Sequence, residues 1–315
     1  MCTINAIVVK KLRERTGVGM MECKKALSET NGNMDKAIEY LREKGLATAV
    51  KKATRIAAEG LVNAYVTTDK RVGVLLEINC ETDFVAMNSD FQKLVHNITK
   101  LIAAKNPIDV SALNTMTMVN GLTVEETVTK MIQTLGENIK VRRFIRYEIN
   151  GIGIIHSYIH SDSLTKGKVG VILECAANNP ESTSNPDFIS IMNDLTLQVS
   201  AYKPEYVRRE DVPIDLLERE KAIYKIQCMN EGKSEAIADK ITQGRIEKFY
   251  KEICLLEQPY LKDDKKSVGD ILQDINTKLG KENISITRFT RYEKGEGIEK
   301  KKDDFAIEVM RQING

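Results

Sequence analysis

Two histidines, six cysteines, two glycine-bearing turns and one aromatic in a polar loop are the residues from which chemistry would have to be built here. His156 and His160 fall four apart on one face of an expected strand, a spacing that two metal ligands could use. No acidic or thiolate ligand lies near them in sequence, and hydrogen-bonded or exposed histidines on an edge strand account for them better. The cysteines, at 2, 23, 80, 175, 228 and 254, form no CxxC pair and no short-spaced cluster, which points to reduced thiols rather than to zinc or disulfides. Gly232-Lys233-Ser234 imitates the end of a phosphate-binding loop, but Gln227 stands where that loop needs its first glycine, and no strand precedes it. Gly151-Ile152-Gly153 lacks the third glycine of a dinucleotide fingerprint and enters a strand rather than a helix. With three histidines in all and no Ser/His/Asp or Cys/His set, the expectation is no catalytic centre, no metal and no cofactor.

The remaining candidate is the loop Cys80-Glu81-Thr82-Asp83-Phe84-Val85, for which the chain carries its own control. The strand before it, Val72-Gly73-Val74-Leu75-Leu76-Glu77, recurs as Val169-Gly170-Val171-Ile172-Leu173-Glu174. The helix-like stretch after it, starting at Asp90-Phe91, recurs at Asp187-Phe188, and both matches share an offset of 97 residues. Where the first copy has Thr82-Asp83-Phe84, the second has Asn179-Pro180-Glu181. A lone Phe in a loop usually tucks into a satellite core. Because the second copy keeps strand and helix without any aromatic there, Phe84 is expected to be dispensable for packing and exposed as a partner-binding anchor.

The elements around this loop follow from periodicity. Ile4, Ile7, Val8 and Leu12 fit one helix, broken by Thr16-Gly17-Val18-Gly19; Met20, Met21, Cys23 and Leu27 fit a second, ended by Asn31-Gly32-Asn33. Ala37, Ile38 and Leu41 fit a third helix that stops before Gly45, followed by another helical stretch with Ala49, Val50, Ala53, Ile56 and Ala57. Leu61–Val66 and Val72–Ile78 alternate like a β-hairpin, as do Ile154–Ile159 and Val169–Cys175. A helix with Phe91, Leu94, Val95, Ile98 and Ile102 corresponds to one with Phe188, Ile191, Met192, Leu195 and Val199. Each copy closes with a strand, Arg143 to Glu148 and Arg288 to Glu293, at an offset of 145, so the second copy holds 48 extra residues between Ala201 and Leu279. The insert reads as an antiparallel helical hairpin, Pro213 to Asn230 and Ser234 to Glu257, turning at Glu231-Gly232-Lys233. Pro213 suits its first turn and Asp211 a cap before it. In the expected seam Leu217, Ile223, Ile226 and Met229 face Ile237, Ile241, Phe249, Ile253 and Leu256. Lys300 to Ile313 reads as a C-terminal helix. The fold class is α+β.

At 315 residues, 42% hydrophobic and 29% charged, the chain has the balance of a soluble protein of two or three domains, and no apolar run approaches a membrane span. Because a helical pattern begins almost at once, no signal or transit peptide is expected, and the expected location is cytoplasmic. Residues 1–58 hold 12 Lys and Arg against 6 Asp and Glu, an excess of six positive charges in a chain of net +2, so the rest is negative by four. A solvated helix face explains that excess better than nucleic-acid binding, because the chain has no Trp and few aromatics. It gives a mild steering term toward an acidic protein partner. A general adaptor or holdase, and an RNA-binding protein using the basic N-terminal segment, remain alternative readings.

Three stretches resemble the elongation factor Ts family: Leu12 to Leu27 (LRERTGVGMMECKKAL), Asn79 to Ala86 (NCETDFVA) and Gly295-Glu296-Gly297-Ile298-Glu299. Their order and spacing cover essentially the whole chain. The resemblance implies a guanine-nucleotide exchange factor for the translation GTPase EF-Tu, binding it GDP-bound or nucleotide-free, without nucleic acid or membrane, and with room for a 2:2 assembly. It implies a ubiquitin-associated-like domain with its linker helix (1–57), core subdomains at 58–150 and 151–295, a coiled-coil insert at about 211–259, and a C-terminal module (296–315). Thr82, Asp83, Phe84 and Val85 match the family segment that dislodges Mg²⁺ from the GTPase, where the Phe wedges between partner side chains near the nucleotide. Met20 and Met21 match the N-terminal contact region, and His160 a position that touches the partner beyond its nucleotide domain. The hairpin suggests the bacterial type. The long polar segment Pro107 to Thr123 departs from the family pattern.

Overall fold

A computed structural model describes residues 4–161, 167–280 and 283–299. The fold is α+β, with helices around small antiparallel sheets. Its first unit is three helices, α1 (Ala6–Thr16), α2 (Met20–Glu29) and α3 (Met34–Lys52). The Asn5 side chain accepts from the Ile7 amide to start α1, and Gly17, at φ 74°, ends it in the left-handed region. Val9, Leu12, Cys23, Ala26, Leu27, Ala37 and Leu41 form the core between the three.

Two expectations fail here. Ile7 is 61% exposed, and Val9 takes the inward position instead. Helix α3 runs straight through Gly45 to Lys52, so the third helix does not stop before that glycine and the later helical stretch ends short of Ala53. Gly45 serves approach rather than termination. A Cβ there would stand 2.1 Å from the Gln133 side-chain nitrogen on α7 (Val124–Leu135), across which α3 lies. Gln133 donates to the Leu41 carbonyl at 2.6 Å, and Lys52 donates to the Gly136 carbonyl.

The duplicated core consists of two three-stranded antiparallel sheets. The first has order β1 (Glu59–Val66), β2 (Val72–Cys80), β3 (Lys140–Glu148); the second has β4 (Gly153–His160), β5 (Val169–Ala176), β8 (Ser285–Glu293). Both copies bulge at the same place, between Glu77 and Ile78 and between Glu174 and Cys175. One face of each sheet is covered by a long helix, α5 (Ser89–Lys105) or α8 (Pro186–Tyr202), whose expected apolar residues are all buried. Asn88 and Asn185 cap these helices identically, each accepting from the amide two residues on at 2.8 Å.

The opposite faces pack on each other through Val62, Leu75, Tyr147, Ile155 and Ile172. This makes β2 and β5 buried on both sides, which is why they read as nearly continuous apolar runs. Across the interface Arg143 stacks on Tyr292 and Arg288 on Tyr147, each at 4.1 Å from the ring centroid. Those pairs exchange under the 145-residue offset, so the copies are related by an approximate two-fold axis.

The repeat reaches further than the strands. Helix α7 begins with a capping box at Thr123 and Glu126, and α11 (Val268–Lys278) begins with one at Ser267 and Asp270. Between α5 and α7 the segment Pro107–Thr123 forms α6 (Val110–Thr115) and a tight turn, with the Met118 amide bonded to the Leu122 carbonyl at 2.8 Å.

The insert is a helical hairpin of α9 (Ile214–Asn230) and α10 (Glu235–Ile253), followed by a 3-10 turn at Leu255–Glu257 and a two-stranded ribbon, β6 (Pro259–Tyr260) with β7 (Asp263–Ser267). Pro213 takes the cap position of α9, while Asp211 closes the preceding turn by accepting from the Arg208 amide. The expected seam holds at the base of the hairpin, where Ile253 is buried with Leu217 and Phe249 packed beside it, and is rotated nearer the turn. Cys228, Ala238, Thr242 and Ile246 are buried in it, whereas Ile223, Ile226, Met229 and Ile237 are exposed, Ile226 by 60%. Nearer the turn, Ile246 and three smaller side chains fill the seam, and the larger expected ones stay outside. The expected helix from Lys300 to Ile313 lies outside the described residues.

Candidate partner-binding site

Strand β2 ends at Cys80, and two residues later the chain turns into a five-residue helix, α4 (Asp83–Met87). The second half of the stretch expected as a loop is therefore helical. Thr82 is its N-cap, with Oγ1 accepting from the Val85 amide at 3.4 Å. The same hydroxyl donates to Glu137 Oε1 at 2.6 Å, while the Glu81 and Thr82 amides donate to Glu137 Oε2 at 3.1 and 2.9 Å. The Cys80 thiol donates to the Thr82 carbonyl at 3.1 Å. Burial, then the nearby Glu137 and Glu59 carboxylates, push that thiol up to about 12, so it is a structural donor and not a nucleophile.

Within α4, inward and outward positions divide cleanly. Val85 and Ala86 are buried in the core under the first sheet. Phe84 is 78% exposed and Met87, one turn later on the same side, 46%. Asp83 is half-buried beside them. In the second copy Asn179 caps a 3-10 turn, Pro180–Ser184, where Ser182 is buried at the position of Val85. Glu181 and Ser184, both exposed, replace Phe84 and Met87. The inward position stays inward in both copies, while both outward apolar residues belong to the first copy alone.

Val85, expected among the contact residues, thus anchors the helix instead of facing outward. Met87 was missed because five residues are too few to show a helical period. The signal for it was the Thr82 cap, which places residues 84 and 87 on one side. Met20 and Met21 lie on α2, which packs chiefly against α1 and α3, with Met21 75% exposed. His160 ends β4, exposed, its Nδ1 3.0 Å from the Tyr158 hydroxyl. These residues occupy separate elements and form one surface only for a partner large enough to span them.

His156 is half-buried, and its Nδ1 has no hydrogen-bond partner among the described residues. It stands opposite Leu173 in β5 as Asn63 stands opposite Leu76 in β2, but Asn63 donates to Thr99 at 2.9 Å. Burial, reinforced by Lys70, holds the His156 imidazole below its ordinary value of 6.5. The unfolded chain therefore binds a proton that the folded one resists. The stability it permits is complete above pH 6.5 and is lost as pH falls toward the depressed native value. Thermal melts between pH 7.5 and 5.5 should show the midpoint falling with acidification, and His156→Asn should flatten that slope; equal slopes would exclude His156 as its source. Among the described residues no group of three or more His, Cys, Asp or Glu could hold a metal, and no helix is long and apolar enough to cross a membrane.

A family model described as elongation factor Ts matches residues 81–296. The match opens beside the Thr82 cap and closes in the turn whose Gly295 amide donates to Glu77 at 2.8 Å. Over 312 residues the chain is 50% identical to elongation factor Ts of Symbiobacterium thermophilum, covering 99% of each. The chain belongs to the elongation factor Ts family. The protein of the same name from Clostridium perfringens strain SM101 is 46% identical over 308 residues (98% of each chain), and that of Clostridium kluyveri 45% over 314 residues (99% of each). These relatives extend the likeness across the three N-terminal helices, which precede the family match. The expected kinship is thus borne out along the whole length.

Proposed function

We propose that this chain is the guanine-nucleotide exchange factor of the translation GTPase EF-Tu, with Thr82, Asp83, Phe84 and Val85 as the segment that dislodges Mg²⁺ and promotes GDP release, Val85 by anchoring it from the buried side. The observation that carries this is Phe84, 78% exposed on a helix tied down at its start, in one copy of a duplicated scaffold and absent from the other. Exposing an aromatic ring costs free energy unless a partner covers it, and burying this one yields on the order of 1.5–3 kcal/mol. Met87 widens the apolar face. Residues 1–57 serve as a docking module through Met20 and Met21, and His160 touches the partner beyond its nucleotide domain.

The mechanism is negative coupling. Bound factor weakens GDP and Mg²⁺ on the GTPase, and nucleotide weakens the factor to the same extent. A thousandfold weakening requires about 4 kcal/mol, more than Phe84 alone supplies. Loss of the metal and displacement of the phosphate-binding backbone make up the difference. Because the factor acts on release, the final ratio of GDP to GTP is unchanged.

Release of labelled GDP from EF-Tu tests this. Wild type should accelerate it strongly, and Phe84→Ala should slow the catalysed rate about ten- to hundredfold. Replacing Thr82-Asp83-Phe84 by the Asn-Pro-Glu of the second copy should preserve folding and abolish most exchange. No acceleration by wild type would sink the exchange reading, and an unimpaired Phe84→Ala would sink the wedge.

A further inference from the structure

We infer that Glu137 is the positioning residue for Phe84: it fixes the orientation of α4 from the far end of the first copy and, resting on the exchange reading above, sets how effectively the wedge acts. A five-residue helix has too few internal hydrogen bonds to hold itself. Phe84 contributes little packing because it points outward. What orients the ring is therefore whatever fixes the ends of α4. At the C-terminal end, Val85 and Ala86 are sunk in the core and the Asn88 amide donates to the Val85 carbonyl at 3.0 Å. At the N-terminal end the one carboxylate among the described residues that grips the Glu81 and Thr82 backbone is Glu137, which takes both amides and the Thr82 hydroxyl.

That last contact also sets the direction of the cap. By taking the hydroxyl proton, Glu137 leaves a Thr82 lone pair for the Val85 amide. The grip is reciprocal, since the Asn138 amide donates to Glu81 Oε1 at 2.6 Å. Glu137 makes no ion pair among the described residues, so its charge strengthens these three bonds instead of a cation contact. It directly follows Gly136, the cap of α7, and α7 carries α3 of the N-terminal unit. Asn138 donates to the Arg55 carbonyl at 2.8 Å, and Arg55 lies 3.5 Å from Glu81. One cluster thus joins the linker after α3, the end of α7 and the base of the wedge helix.

Two measurements on the full chain test this. The chain has no Trp, so Phe84→Trp makes a single emitter at the wedge. Adding Glu137→Ala should lower its fluorescence anisotropy, and Glu137→Gln, whose amide oxygen still accepts, should restore much of it. Unchanged anisotropy in the alanine variant overturns the role. In GDP release at saturating factor, Glu137→Ala should slow the maximal rate on the order of tenfold, below the roughly hundredfold that a displacement of about 1 Å can cost, because Val85 and Ala86 still hold the other end of α4. The Gln variant should recover part of the rate, and the double variant with Phe84→Ala should lose clearly less than the product of the two single losses. A slow Phe84→Ala beside an unaffected Glu137→Ala overturns Glu137 and leaves the wedge standing, as do fully multiplicative losses in the double variant. An unimpaired Phe84→Ala removes the wedge, and the positioning role falls with it.

Discussion

Glu77→Ala is expected to destabilise the fold by about 3 kcal/mol, whereas Glu174→Ala, its counterpart in the second copy, should cost only about 1 kcal/mol. Both carboxylates sit at the bulge of a central strand, and each accepts from the Nε of its copy's arginine, Arg143 at 2.7 Å and Arg288 at 2.8 Å. Glu77 is fully buried and also accepts from Arg142 at 2.9 Å, Asn79 at 3.1 Å and the Gly295 amide at 2.8 Å. Removing it strands two guanidinium groups and a buried amide. The figure is taken at the low end for a broken buried pair because the Arg142 and Arg143 side chains keep 24% and 31% of their exposure and can recover some hydration. Glu174 answers chiefly to Arg288, which is nearly half exposed. Urea midpoints of the two variants check this directly. Equal losses would mean that the Gly295 turn and Arg142 contribute nothing, and that the copies are energetically as alike as their sequences.

The same asymmetry explains what the sequence could reveal. Strands and long helices were legible because their signals are periodic and appear twice: Phe91 and Phe188, Asn88 and Asn185, Gly73 and Gly170 all recur at 97 residues. Phe84 was legible because one copy lacks it. The half of the hairpin seam nearer the turn was not, since the large apolar residues at Ile223, Ile226 and Met229 suggested an interface that small ones, Cys228 and Ala238, help to form. Gly45 was misread as a helix stop because its purpose, a close approach to Gln133, lies 88 residues away on α7. The Glu137 clamp was invisible for the same reason, as its bonds to Glu81 and Thr82 span 56 and 55 residues. Local chemistry shows in local sequence; a side-chain bond between distant segments does not. The site was therefore half readable, in the residue that is displayed and not in the ones that hold it.

Gly73→Val and Gly170→Val should each lower stability by about 2–3 kcal/mol, and by similar amounts. The two glycines solve one packing problem twice. A Cβ at Gly73 would stand 2.5 Å from Ile155 Cγ2 and 2.7 Å from Ile172 Cδ1; one at Gly170 would stand 2.5 Å from Val62 Cγ1 and 2.7 Å from Leu75 Cδ1. Ile172 and Leu75 are themselves 97 residues apart, so each copy's glycine receives the other copy's branched side chain. Fully buried sheet faces leave those side chains nowhere to retreat. Compensation should be specific: Leu75→Ala should relieve Gly170→Ala but not Gly73→Ala, and Ile172→Ala the reverse, read as differences in urea midpoint. Relief in both combinations would mean a general loosening of the interface instead of two reciprocal fits. The consequence for function follows from geometry. Phe84 leaves the end of β2, His160 ends β4, and this interface helps to fix one strand against the other. In the GDP-release assay, valine at either glycine should therefore weaken apparent binding to EF-Tu even at temperatures where the chain remains folded. Normal binding by a folded variant would show that the two proposed contact regions need not be held at a set separation.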